Sequence, residues 1–194
     1  MAIESSTVEM KKPEYLQIVG RKKSGKTTLI VGLVEGLVAR GMRVATIKHT
    51  SHNHEFDRPE TDSWKHRKAG SEATIIISPD EWVCHARIHG PETKLLLQKA
   101  LFRDKDIVLW EGHGEIDALM IECVPPGQAP LFERDDKLIA VVTDFEIVAG
   151  IPRFRPFDIA GIIDFLVARL TIWPTEKEEF NPAVQIDKSV LNSE

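Results

Sequence analysis

Hydrophobic positions along the chain change their period several times, and each change marks an element. Tyr15-Leu16-Gln17-Ile18-Val19 is a short apolar run that ends at Gly20 and predicts a first strand. From Thr27 the spacing becomes helical: Leu29, Ile30, Leu33, Val34, Leu37 and Val38 fall on one side, and Gly41 ends the helix. Arg43 to Lys48, with Val44, Ala45 and Ile47, predicts a second strand. Strand, glycine-rich turn, helix and strand within about 35 residues is the βαβ unit that forces a parallel sheet.

Beyond it the polar, histidine-rich run from His49 to Arg58 predicts a loop. Asp62 is expected to cap a short helix that runs through Lys68 and closes at Gly70. Ala73 to Ser78 and Trp82 to Ile88 predict a hairpin around Pro79-Asp80, and Pro91 predicts the start of a helix carrying Leu95, Leu96, Leu97, Ala100 and Leu101. Asp106 to Trp110 has the continuous apolar character of a buried strand. Leu119 to Val124 and Leu138 to Thr143 predict two more, with a turn-rich connection over Pro125 to Pro130. Asp158 is expected to cap a last helix whose apolar face is Ile159, Ile162, Ile163, Leu166 and Leu170. Residues 1–13 and 174–194 are polar and aperiodic and read as tails, which leaves one domain over 14–173.

Composition narrows the class. The 194 residues are 42% hydrophobic and 28% charged, in the range of a globular domain with a real core. A net charge of -5 argues against broad attraction to nucleic acid or anionic membrane, so any anion must be held by a local site. Cys84 and Cys123 form no C-x-x-C pair and read as reduced thiols. The N-terminal residues carry no signal-peptide pattern, and no run approaches the ~20 apolar residues of a membrane span, so the expected location is cytoplasmic.

That local site is Gly20-Arg21-Lys22-Lys23-Ser24-Gly25-Lys26-Thr27, a full G-x-x-x-x-G-K-S/T match lying between a predicted strand and a predicted helix. Gly20 and Gly25 allow the backbone turns that aim successive N–H groups inward at phosphate oxygens. Lys26 supplies a point charge for the β- and γ-phosphates, Thr27 a hydroxyl for Mg²⁺, and the helix N-terminus its dipole. Arg21, Lys22 and Lys23 add positive charge or are simply solvated, and Thr28 follows in the first helical turn. The expected fold is therefore α/β and P-loop NTPase-like: a mostly parallel twisted sheet flanked by helices, with some antiparallel hairpin strands.

Glu111 closes the buried Ile107–Trp110 run, the position from which a carboxylate faces Mg²⁺ or orients an attacking water; Gly112 beside it lets the backbone approach the γ-phosphate. Lys48 and His49 end the strand after the first helix, where ligands of parallel sheets gather, and are candidates for a phosphate contact or form a solvated strand end. Asp57 and Asp62 read either as outer magnesium positions or as turn and cap residues. His49, His52 and His54 lack the spacing of a zinc motif and suit a substrate-contacting loop better. Thr143-Asp144 is a candidate for reading the base, because a carboxylate accepts from guanine N1–H and its exocyclic amine, a donor pair adenine lacks.

Val44-Ala45-Thr46-Ile47-Lys48-His49, then His52, Asp57, Pro59, Asp62-Ser63 and Arg67-Lys68-Ala69-Gly70, resemble the molybdopterin-guanine dinucleotide biosynthesis protein B (MobB) family. That family's later Val-Glu-Gly is matched by Leu109-Trp110-Glu111-Gly112, with Trp in place of Val, and an Ile-Ala-Val element by Ile139 to Asp144. Glu60 stands where the family usually has Gly, and His113-Gly114 where it has an aromatic residue and a lysine. The resemblance implies a GTP-binding accessory protein of molybdenum cofactor biosynthesis that assists attachment of GMP to molybdopterin. It further implies GTP and Mg²⁺ as cofactors, slow hydrolysis at most, a MobA-like molybdopterin guanylyltransferase and molybdopterin as partners, and a homodimer. A P-loop small-molecule kinase and a non-catalytic nucleotide-dependent adaptor are the alternatives.

Overall fold

Strands in this protein are apolar on both faces where the sheet is covered on both sides, and that pattern sets the architecture. The computed structural model describes residues 13–50, 55–90, 100–114, 116–146 and 150–170. Six strands form one sheet: β1 (Glu14–Val19), β2 (Val44–Lys48), β5 (Ile107–Glu111), β6 (Leu119–Cys123), β7 (Leu138–Val142) and β8 (Arg153–Phe154). Their order is β2-β5-β1-β6-β7-β8 and every pairing is parallel. A separate antiparallel pair, β3 (Ala73–Ile77) and β4 (Trp82–Ala86), forms the expected hairpin, with the Ser78 amide donating to the Glu81 carbonyl across Pro79-Asp80. The mostly parallel α/β expectation holds; β8 is too short to show a period in the sequence.

Helices α1 (Lys26–Ala39) and α2 (Asp62–Lys68) follow β1 and β2, and a third, α3 (Ile159–Leu170), follows β8. Leu29, Leu33 and Leu37 of α1 and Ile162, Ile163 and Leu166 of α3 pack with Leu16, Ile18, Ile107 and Leu109 into the main core. Val19, Met120, Val124, Leu138 and Val141 form a smaller cluster of their own. Gly32 and Gly36 let α1 and α3 approach closely: a Cβ at Gly32 would fall 2.8 Å from Ile159 Cδ1, and one at Gly36 would strike Ile163. A one-turn repeat of small residues is therefore part of the packing, although the sequence shows it only as glycine in a good helix.

Two caps differ in how they match expectation. Asp158 caps α3 as read, its Oδ1 accepting from the Gly161 amide at 3.1 Å. Asp62 does not cap α2: Thr61 is the N-cap, its Oγ1 accepting from Trp64 N, and Asp62 is the first helical residue. Either residue type suits that position, so sequence spacing alone does not separate them. The helix expected from Pro91 falls mostly on residues 91–99, outside the described residues, as do both predicted tails apart from Pro13.

Candidate nucleotide-binding site

β1 ends at Val19, and Gly20 turns the chain at φ 132, where an added Cβ would strike the carbonyl of Cys123 at the end of β6. Lys23 and Gly25 also sit in the left-handed region, at φ 62 and 91. Such alternation curls the backbone into a concave loop whose N–H groups converge. Gly25 is the N-cap of α1 and no side chain caps it. The first intrahelical bond runs from Leu29 N to Gly25 O, so the amides of Lys26, Thr27 and Thr28 have no acceptor within their own helix. An anion is the natural acceptor there.

Lys26 folds over the loop, its ammonium donating to the carbonyls of Gly20 at 3.0 Å and Arg21 at 2.6 Å. The Ser24 hydroxyl is buried with no hydrogen-bond partner among the described residues. Arg21 reaches outward and donates to the Ala129 carbonyl at 2.9 Å, so its guanidinium holds the β6–β7 connection; Lys22 and Lys23 are exposed.

Glu111 ends β5 beside this loop. Its Oε1 accepts from the Thr27 hydroxyl at 3.0 Å and lies 3.3 Å from the Lys48 ammonium. These two residues come together because β5 is hydrogen-bonded between β1 and β2, with Lys48 in register with Glu111. Mg²⁺ takes one or two protein oxygens and completes its shell with phosphate and water, and the Thr27 hydroxyl with the Glu111 carboxylate provides that donor set. Asp62 is not brought to them: its side chain is 91% exposed and its carboxylate pairs with Lys65 at 3.4 Å. Asp57 proves to be a turn anchor, buried and accepting from Thr61 and Ser63. Glu60, at φ 70, adopts the conformation that the family's glycine favours.

His49 and Gly112 contribute through backbone as well as position. The His49 amide donates to the Glu111 carbonyl at 3.3 Å, and its side chain is exposed. The Gly112 amide is committed to the Ile18 carbonyl at 2.9 Å, and the space where a Cβ would lie is open. Among the described residues no group of three or more His, Cys, Asp or Glu could hold a metal; His52 and His54 lie outside them.

A cavity of about 220 Å3 continues from the loop, between Lys23, Thr28, Pro125, Asp144 and Phe157. Asp144 follows β7 at the mouth, above the buried Thr143, and Phe157 is 86% exposed. Cys123, under Gly20, is pushed up to about 12 by burial, against the pull of the Lys26 charge, and is an inert thiol.

Four supporting residues, Gln17, Glu122, Phe132 and Phe157, were not singled out in the sequence. Buried Gln17 accepts from Gly114 N at 2.6 Å and donates to the Ile116 carbonyl, fixing the loop after Glu111. Buried Glu122 accepts the amides of Leu131 and Phe132, and Phe132 stacks on His113 with ring centroids 5.3 Å apart. A polar residue inside an apolar strand was the available signal for both Gln17 and Glu122. Phe157 carried none.

The profile of the family described as "Molybdopterin guanine dinucleotide synthesis protein B" matches residues 15–144. The molybdopterin-guanine dinucleotide biosynthesis adapter protein of Escherichia coli K12 is 33% identical over 150 residues, covering 74% of this chain and 86% of that protein. The protein of the same name from Haemophilus influenzae is 33% identical over 135 residues, covering 68% and 75%. Among solved structures, molybdopterin-guanine biosynthesis protein B aligns with a TM-score of 0.61 at 30% identity, over 81% of this chain and 99% of that one. A MobB homologue from Bacillus stearothermophilus aligns at 0.58 over 81% and 97%, and at 24% identity it speaks for the fold alone.

Proposed function

The chain belongs to the MobB family, and from that premise we propose that it is a GTP-binding adapter of molybdopterin-guanine dinucleotide biosynthesis, assisting attachment of GMP to molybdopterin. The observation that carries the nucleotide reading is the meeting of Thr27 and Glu111 at 3.0 Å beside a loop of inward amides and Lys26. Phosphates would lie in the loop, taking the ammonium of Lys26 from the Gly20 and Arg21 carbonyls, with Thr27 and Glu111 holding Mg²⁺. When bound, the ion supplies charge neutralisation at the β- and γ-phosphates.

The base would occupy the adjoining cavity, where the exposed carboxylate of Asp144 is placed to accept a guanine donor pair and Phe157 offers a ring face. The Glu111 carboxylate oxygen is already engaged by the Thr27 hydroxyl and the Lys48 ammonium, an arrangement that suits holding an ion more than taking a proton from water and supports slow hydrolysis at most.

The partners proposed are molybdopterin, a MobA-like guanylyltransferase and a second copy of the chain, in the cytoplasm. No helix among the described residues is long and apolar enough to cross a membrane. The β3–β4 pair exposes Ile75, Ile77, Trp82 and Val83, more apolar surface than a two-stranded hairpin retains unaided, and supports dimerisation there.

Calorimetric titration with GTP, ATP and GDP tests the reading. GTP with Mg²⁺ should bind most tightly, and Lys26→Ala should abolish binding while the folded circular-dichroism spectrum is kept. Retained GTP affinity in that variant would refute it.

A further inference from the structure

A second cavity, of about 340 Å3, opens between α2 and the β3–β4 hairpin and shares no residue with the one beside the phosphate loop. One wall is fixed. The buried Asp57 carboxylate accepts from the Ser63 and Thr61 hydroxyls, pairs with Arg67 at 3.4 Å and faces His85 at 4.0 Å. Arg67 is thereby committed to the fold.

The other cations of the lining are held loosely. Lys68 lies 3.7 Å from Glu55 and Arg87 3.8 Å from Glu72, Arg87 also donates to the Arg67 carbonyl at 3.4 Å, and both cationic side chains are more than half exposed. Exposed pairs at such lengths contribute little, so either cation can turn to a phosphate at small cost. Lys68 also sits 5.1 Å over the Trp64 ring, the geometry by which an indole face attracts a cation or a flat heterocycle.

These elements together select a ligand class. A cavity of this volume accommodates a fused two-ring heterocycle. Glu55 already accepts from the Trp64 indole N–H at 2.6 Å and Glu72 pairs with His89, but each carboxylate has lone pairs left to accept from the N–H and amino donors of an aminopyrimidinone edge. Trp64 can stack on the ring, and Lys68 with Arg87 can hold a phosphate. Pterin phosphates and guanine nucleotides both fit that description. On the proposed function the nucleotide occupies the phosphate loop, which leaves the pterin for the second cavity.

We propose that the cavity between α2 and the hairpin binds the phosphorylated pterin, an assignment that rests on the reading of the chain as a molybdopterin adapter. The two ligands would then have separate sites on one chain.

The test is fluorescence anisotropy of neopterin monophosphate with the full chain, alone and with GTP and Mg²⁺ in excess. Saturable binding is expected in both conditions and in Lys26→Ala, with a loss of about tenfold or more in Arg87→Glu, a smaller loss in Lys68→Ala, and near wild-type binding in Arg87→Lys. Absence of saturable binding, equal affinity in Arg87→Glu, or displacement by GMP while GTP fills the loop would overturn the proposal. Because the pterin is also titrated without nucleotide, a failure of GTP binding is read separately.

Discussion

The Thr27 hydroxyl donates to Glu111 Oε1 at 3.0 Å across 84 residues of chain, and the Lys48 ammonium lies 3.3 Å from the same oxygen. The carboxylate thus sits between a hydroxyl and a cation, at the carboxyl end of a central parallel strand. That is where ligands of α/β sheets collect, because helix N-termini and strand ends converge there.

Glu111→Gln keeps the side-chain size and removes its charge. Without Mg²⁺ the variant should bind GTP at least as tightly as the parent, since an anion beside the phosphates is gone. With Mg²⁺, the gain in affinity seen in the parent should shrink about tenfold, or ~1.4 kcal/mol. Paired calorimetric titrations with and without the ion measure this, and an unchanged gain would remove Glu111 from the metal.

The two departures around Glu111 prove to be one. A Cβ at Gly114 would lie 2.6 Å from Cε2 of Trp110, so the large ring before Glu111 requires the small residue after it. Gly114→Ala should cost ~1–3 kcal/mol in urea denaturation, by overpacking. In a Trp110→Val background the same substitution should be nearly neutral, giving a coupling of about 1 kcal/mol or more in the double-mutant cycle. Additive losses would contradict the pairing.

Asp57 links stability to acid. Burial alone pushes its carboxyl up, but hydrogen bonds from Ser63 and Arg67, the His85 charge and the Thr61 hydroxyl outweigh it and hold the group below the usual carboxylate range. A depressed folded value means the stabilisation is complete above the ordinary aspartate pKa and is lost as pH falls through the folded value. Asp57→Asn should be less stable at pH 7, with the difference narrowing below about pH 4. Thermal melts from pH 3 to 7 follow it; a gap independent of pH would exclude the linkage.

How much was legible follows local chemistry. The strand, glycine turn and helix around Gly20 to Gly25, the βαβ unit and the Asp158 cap are encoded by neighbouring residues, and each of these local conformations stands as read. The α2 cap shifted from Asp62 to Thr61 because both side chains suit the position and the turn geometry chose between them. Gln17 and Glu122 were readable only as anomalies, polar residues in apolar strands, since their partners Gly114, Leu131 and Phe132 lie far along the chain.

By itself the sequence determined the parallel α/β class, the loop from Gly20 to Thr27, Glu111 as the carboxylate closing a buried strand, and the family likeness. These rest on periodicity, spacing and residue type, which are local. Only the tertiary structure decided that Glu111 meets Thr27 and Lys48, that Asp62 stays in solvent, and that Trp110 and Gly114 form a matched pair. Those outcomes depend on strand order and register, which bring distant residues within a few ångströms through hydrogen bonding between strands that no local pattern specifies.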